Sequence, residues 1–152
     1  MLRMRGIGNI EQQLREEGVY VSTTVGYSMW PMLRNRRDRV IVIAKGEERL
    51  KKWDLPLYRY PDGKYVLHRI IDVKDGYYII RGDNTFVKEK IPEEWILGYV
   101  SEFYRKDRHV SAGAKGYRFY AALWQRIYFL RLPLHKARCL ASRVKHKLFS
   151  KK

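Results

Sequence analysis

A serine, a histidine and a carboxylate stand in three short segments that neighbouring strands could bring together. The first segment is Gly26-Tyr27-Ser28-Met29-Trp30-Pro31, the second Val66-Leu67-His68-Arg69-Ile70 and the third Arg81-Gly82-Asp83-Asn84. Singly, each has an ordinary explanation. A serine before a proline-bearing loop is turn chemistry, a lone histidine is more often a satisfied sheet residue, and Gly-Asp-Asn is a common turn. Jointly, in one order and at compact spacing, they supply a nucleophile, a base and an acid, the set used for acyl transfer through a covalent intermediate. Ser28 would attack a carbonyl while His68 takes the hydroxyl proton and returns it to the leaving amine. Free imidazole titrates near pH ~6.5, so a neutral base is available without the desolvation that a lysine would need.

The elements that must position these residues read mostly as strands. Val19 to Val25 is β-branched and aromatic and leads into the serine segment, and Arg39 to Ile43 follows as a second strand. Leu55 to Tyr60 is a third, suited to a sheet edge by Pro56, which donates no ladder hydrogen bond. Lys64 to Val73 alternates so that Val66, His68 and Ile70 share a face, and Lys74-Asp75-Gly76 turns it back into Tyr77 to Arg81 as a hairpin. Ile96 to Phe103 closes the set after a turn at Pro92-Glu93-Glu94. Ahead of the strands, Asn9 can cap a short helix over Ile10 to Glu17, with Gln12 as capping partner and Gly18 ending it. The expected fold class is therefore mainly β with a short N-terminal helix.

Ser28-Met29-Trp30-Pro31 matches the Ser-Met-x-Pro nucleophile box of type I signal peptidases. Leu67-His68-Arg69-Ile70 is similar to their base-bearing strand, and Arg81-Gly82-Asp83-Asn84 to their Gly-Asp-Asn box. Over roughly Val19 to Val100, the chain thus resembles the serine peptidase superfamily that contains type I signal peptidases and the self-cleaving LexA-like repressors. A histidine followed by arginine, as in His68-Arg69, is similar to the endoplasmic-reticulum branch and unlike the lysine-based enzymes. Within that branch the chain looks like small bacterial proteins that lack the membrane anchor and keep a basic tail. The resemblance implies a signal-peptidase or LexA-like complex β fold and a serine endopeptidase that cleaves an extended peptide or leader segment, with no cofactor and no metal. It also implies two acids near the base: Asp83 and, six residues on, Glu89, where the branch usually carries aspartate. Either could orient His68 while the other organises the turn. Gly26, Met29 and Pro31 flank the nucleophile and are the expected substrate-binding positions. Gly26 replaces a hydroxyl residue of signal peptidases, leaving backbone N–H groups near Ser28 to stabilise an oxyanion. It also lets a substrate approach closely as a strand added beside Val19 to Val25.

The 152 residues, 45% apolar, suffice for one core. Lysine and arginine number 32 against 16 acids, a +16 imbalance beyond what solubility requires, which points to a polyanion or an anionic surface as neighbour. All the acids lie between Glu11 and Asp107, whereas residues 111–152 hold eleven lysines or arginines and no acid. The small residues of Ser111 to Gly116 read as a connector, so the expected division is a peptidase-like β domain, 1–110, and a basic helical tail, 111–152. In the tail, Tyr120, Leu123, Trp124, Ile127, Leu130 and Leu134 recur at three- and four-residue steps, with Arg126, Arg131 and Lys136 off that face and Pro133 ending or kinking the helix. Such a face could pack on the β domain or lie flat on an anionic membrane. The alternative function is accordingly a non-catalytic binding module that holds nucleic acid or an anionic membrane through its tail. A single cysteine, Cys139, excludes an internal disulfide framework and a multi-cysteine zinc site. Phe119 to Leu134, the longest apolar segment, is interrupted by Gln125, Arg126 and Arg131, and the N-terminus lacks the apolar run of a secretory signal. The expected location is the cytoplasm, with peripheral attachment to a membrane.

Overall fold

The computed structural model describes residues 3–5, 10–128 and 130. In chain order the elements are β1 (Arg3–Arg5), α1 (Ile10–Glu17), β2 (Val19–Val25), β3 (Arg39–Ala44), β4 (Pro56–Arg59) and β5 (Tyr65–Leu67). They continue with β6 (Arg69–Lys74), β7 (Tyr77–Arg81), β8 (Glu89–Pro92), β9 (Ile96–Arg105), β10 (Arg108–Ser111) and α2 (Lys115–Arg126). The chain is mainly β, with a short N-terminal helix and a curled antiparallel half-barrel sheet. That sheet has the strand order β1-β2-β3-β9-β4-β5, with β10 also paired to β9; a second sheet has the order β6-β7-β8.

Alternation along the strands divides the interior into two cores. Leu57 and Leu67 face the first, beside Tyr20, Val40, Val42, Val100 and Phe103, while Ile10 and Leu14 of α1 plug the same cluster. Their neighbours Tyr58 and Val66 face the second, with Ile70, Tyr78, Ile80 and Ile91 from the smaller sheet. β4 and β5 therefore serve both cores. Where β3 meets β9, a Cβ on Gly98 would collide with the Ile43 carbonyl, so only glycine allows that approach. Helix α1 ends as its sequence predicts: the Gly18 amide donates to the Leu14 carbonyl at 3.1 Å, and Gly18 has φ +72°. Asn9, the expected cap, lies outside the described residues.

Three expectations are corrected. Lys64 to Val73 is two strands of different sheets, broken at His68: Leu67 pairs with Leu57, whereas Arg69 pairs with Arg81. The reason is tertiary, since the Arg69 side chain is drawn into a buried ion pair with Asp83. The Pro56 strand is interior, with β9 on one side and β5 on the other; proline is tolerated because it is the first residue of β4. The turn at Pro92 to Glu94 is instead the end of β8 followed by a short 3-10 turn, Glu93–Trp95. Residue 111, the expected start of the basic helical tail, is the last residue of β10, and α2 beyond it joins the first core through Tyr117 and reaches the loop residue Asp83 through Gln125. No helix among the described residues is long and apolar enough to cross a membrane.

Candidate active site

Ser28 sits in a loop that leaves β2 through Gly26, whose φ of +113° is a conformation that disfavours side chains. The Gly26 amide donates to Asn35 Oδ1 at 3.0 Å, and Thr24 Oγ1 donates to the Arg34 and Asp38 carbonyls, so the loop is pinned at both ends. Asp38, fully buried, accepts from the amides of Arg34 and Lys106. Met29, with no exposed surface, anchors the loop in the first core together with Met32 and Leu33. The Trp30–Pro31 peptide is cis, and the Pro31 carbonyl accepts from Arg105 Nη2 at 3.3 Å. Of the expected substrate-binding residues, Gly26 thus shapes the turn and Met29 fastens it.

The third segment closes under the serine. The Asn84 amide donates to the Ser28 carbonyl at 2.7 Å, and Asn84 Nδ2 donates to the Tyr27 carbonyl. A Cβ on Gly82 would come within 2.8 Å of the Ser28 carbonyl oxygen, so this contact too requires glycine. Gly82 follows Arg81, and Arg81 is the ladder partner of Arg69, the residue after His68. The backbone therefore links the serine loop to the histidine through two contacts.

The two acids have different surroundings. Asp83 accepts from Arg69 Nε and Nη2, each at 2.7 Å, in a bidentate pair whose side chains are both fully buried. Burial presses the Arg69 guanidinium towards its neutral form, but the Asp83 charge and the hydrogen bonds to Asp83 and Tyr117 outweigh it and hold the arginine charged. Asp83 also accepts from Gln125 Nε2 at 2.8 Å, and its carbonyl accepts from Trp124 Nε1. Glu89 is the acid that faces the imidazole, with Oε1 3.4 Å from His68 Nδ1. It is joined there by two residues that sequence reasoning missed. Tyr58 Oη donates to Glu89 Oε2 at 2.7 Å and Tyr60 Oη at 2.6 Å. Their i, i+2 spacing on one strand face is the signal that could have found them.

Protons can now be assigned. Burial, reinforced by the Glu89 charge, raises Tyr58 far above the usual phenol range and Tyr60 to about 12, so both keep their hydrogens. Burial pushes Glu89 up, but hydrogen bonds from His68, Tyr60 and Tyr58 prevail and hold it at about 2. With both phenol hydrogens directed at Glu89, His68 Nδ1 meets only acceptors: Glu89 Oε1 at 3.4 Å and Tyr58 Oη at 3.2 Å. The imidazole hydrogen belongs on Nδ1, and Nε2 carries the free lone pair. His68 Nε2 and Ser28 Oγ are both buried without a hydrogen-bond partner, in residues only 3% exposed. An unpaired buried hydroxyl and an unpaired buried base are each costly, and the two are not hydrogen-bonded to each other.

No protein-family model matches this chain, and no curated protein does. The site is therefore read from its geometry. Among the described residues no three His, Cys, Asp or Glu side chains are grouped to hold a metal ion.

Helix α2 braces the site. Tyr117, Ala121 and Gln125 form its buried face, and Tyr117 Oη accepts from Arg69 Nη1 at 2.8 Å. Gln125 Oε1 accepts from Arg81 Nη2, and Arg118 reaches Asp54 Oδ1 and the Lys52 carbonyl, both at 2.8 Å. The docked face overlaps the apolar stripe of the sequence only in part: Tyr120 packs against the first core and Trp124 reaches the Asp83 carbonyl, whereas Leu123 and Leu130 are exposed, as is Phe119. Leu134, Arg131, Pro133 and Lys136 lie outside the described residues.

Proposed function

We propose that this chain is a serine endopeptidase of signal-peptidase type that cleaves an extended peptide through a Ser28 acyl-enzyme. The observation that carries the reading is the set of partners around His68. Acceptors occupy the Nδ1 side, Nε2 is left unpaired, and the buried Ser28 hydroxyl is likewise without a partner. In the reaction, Ser28 Oγ rotates towards Nε2, gives up its proton as Oγ bonds to the carbonyl carbon, and His68 passes that proton to the leaving amine. Water then repeats the exchange and releases the acyl group. Glu89, ionised and clamped by Tyr58 and Tyr60, holds the tautomer and stabilises the imidazolium; Asp83, spent on Arg69, holds the turn.

A fluorophosphonate probe tests this. The native chain takes up label, while Ser28→Ala takes up none and His68→Ala is slowed at least ~100-fold, the usual scale of general-base catalysis. Equal labelling of all three folded proteins refutes the reading. It would leave the non-catalytic module, which is favoured by exposed Phe119, Leu123 and Leu130 beside Arg126 on a helix without acids.

A further inference from the structure

Apart from β1, the outer strands of the curled sheet are β2 and β5, which lead into the proposed nucleophile and base. β2 ends at Val25, three residues before Ser28, and β5 ends at Leu67, one residue before His68. Between them lies β1. It pairs antiparallel with β2 in the register Arg3↔Val25, Met4↔Thr24 and Arg5↔Thr23, and its Cα atoms come within 8 Å of those of β5. The Thr24 amide donates to the Asp38 carbonyl on the β3 side, so by alternation the amides of Thr23 and Val25 face β1. A gap flanked by two strand edges is a site for extended backbone, recognised through main-chain hydrogen bonds.

We propose that Arg3–Arg5 is a resident, displaceable occupant of the gap between β2 and β5, the place that an extended peptide would take as an added strand. A strand of three residues closes few ladder bonds and belongs to the least stable part of a sheet. What keeps it in place is its tether, since a short linker presents its end at an effective concentration in the ~mM range. An incoming peptide therefore competes with the chain's own N-terminal strand. Ser28 and His68 follow the ends of the two flanking strands, so a peptide seated in the gap runs past both. The proposal rests on the peptidase reading only for what the bound peptide then undergoes.

The test uses full-length protein in a Ser28→Ala background, so that no turnover consumes the probe. The probe is a fluorescein-labelled synthetic peptide of residues 1–9, followed by anisotropy. Two variants vacate the gap: Arg5→Pro, because Arg5 is the ladder partner of Thr23 and proline lacks the amide that bonds there, and a chain without residues 1–5. Both should bind the peptide at least ~10-fold more tightly than the parent, because the tethered competitor is gone, and unlabelled peptide should displace it. Equal binding by parent and variants, or none by variants that keep the parent's circular dichroism, overturns the proposal. The unaltered chain provides an independent reading: amide exchange at Thr23 and Val25 should run at least ~10-fold faster than at Val40 and Val42 in the sheet centre. Matching rates would make β1 a fixed strand and also overturn the proposal. Peptide binding without Ser28 labelling would remove the peptidase reading alone, and labelling with unchanged peptide affinity would remove this one alone.

Discussion

Replacing Glu89 with glutamine separates the charge of the site from its shape. The carboxyl is held at about 2 against an ordinary 4.5. At 1.36 kcal/mol per unit this corresponds to about 3 kcal/mol of folding stability, and 22% side-chain exposure trims it to about 2. Because the folded-state value is depressed, the contribution is complete above pH 4.5 and is lost as pH falls towards 2. Glu89→Gln keeps an oxygen for Tyr58 and Tyr60 but cannot ionise. In urea titrations at pH 7 the variant should therefore be less stable by about 2 kcal/mol, and by pH 3 the gap should shrink to less than half. A gap of the same size at both pH values would refute the claim that Glu89 is held ionised by its donors. The variant also presents an amide N–H to His68 Nδ1, which favours the wrong tautomer. Ser28 labelling should fall by as much as ~10⁴, the cost of removing the equivalent acid from a comparable triad.

Asp83→Asn leaves the buried Arg69 charge without its counter-ion and should cost about 3–5 kcal/mol in a urea titration at pH 7. A loss below about 1 kcal/mol would show that Asp83 is not the structural partner of Arg69. Gly82→Ala drives a methyl against the Ser28 carbonyl at 2.8 Å and should destabilise by about 1–3 kcal/mol, with faster exchange of the Asn84 amide. Gly116→Ala, in α2 with nothing within 4 Å, should be neutral or stabilising by up to about 1 kcal/mol; equal losses for the two alanines would refute the close approach at Gly82.

Local pattern was a good guide where neighbours in sequence decide the structure. The β-branched runs of β2 and β3, the Asp75-Gly76 turn between β6 and β7, and the Gly18 end of α1 are all legible in this way. The break at His68 is not, because alternation runs on from Val66 to Ile70; what marks it is tertiary, Arg69 paired with Asp83 fourteen residues on and the Ile70 backbone bonded to Trp53 and Asp54. The same limit hid the glutamate clamp, since Tyr58 and Glu89 are 31 residues apart and nothing local to either marks the other. Helix α2 shows the converse error. Its period is plain, but which face docks depends on Gln125 reaching Asp83, and a polar residue draws no notice in an apolar stripe.

The brace from α2 also sets an order of events during synthesis. Ser28, His68 and Glu89 emerge from the ribosome well before Gln125, which follows its partner Asp83 by 42 residues. A nascent chain halted after β9 holds every group of the proposed reaction but leaves Arg69, Asp83 and Arg81 without Tyr117 and Gln125. Of the two described helices, α2 is made later, and it alone supplies the Tyr117 and Gln125 bonds to Arg69, Asp83 and Arg81 beside the turn beneath the serine.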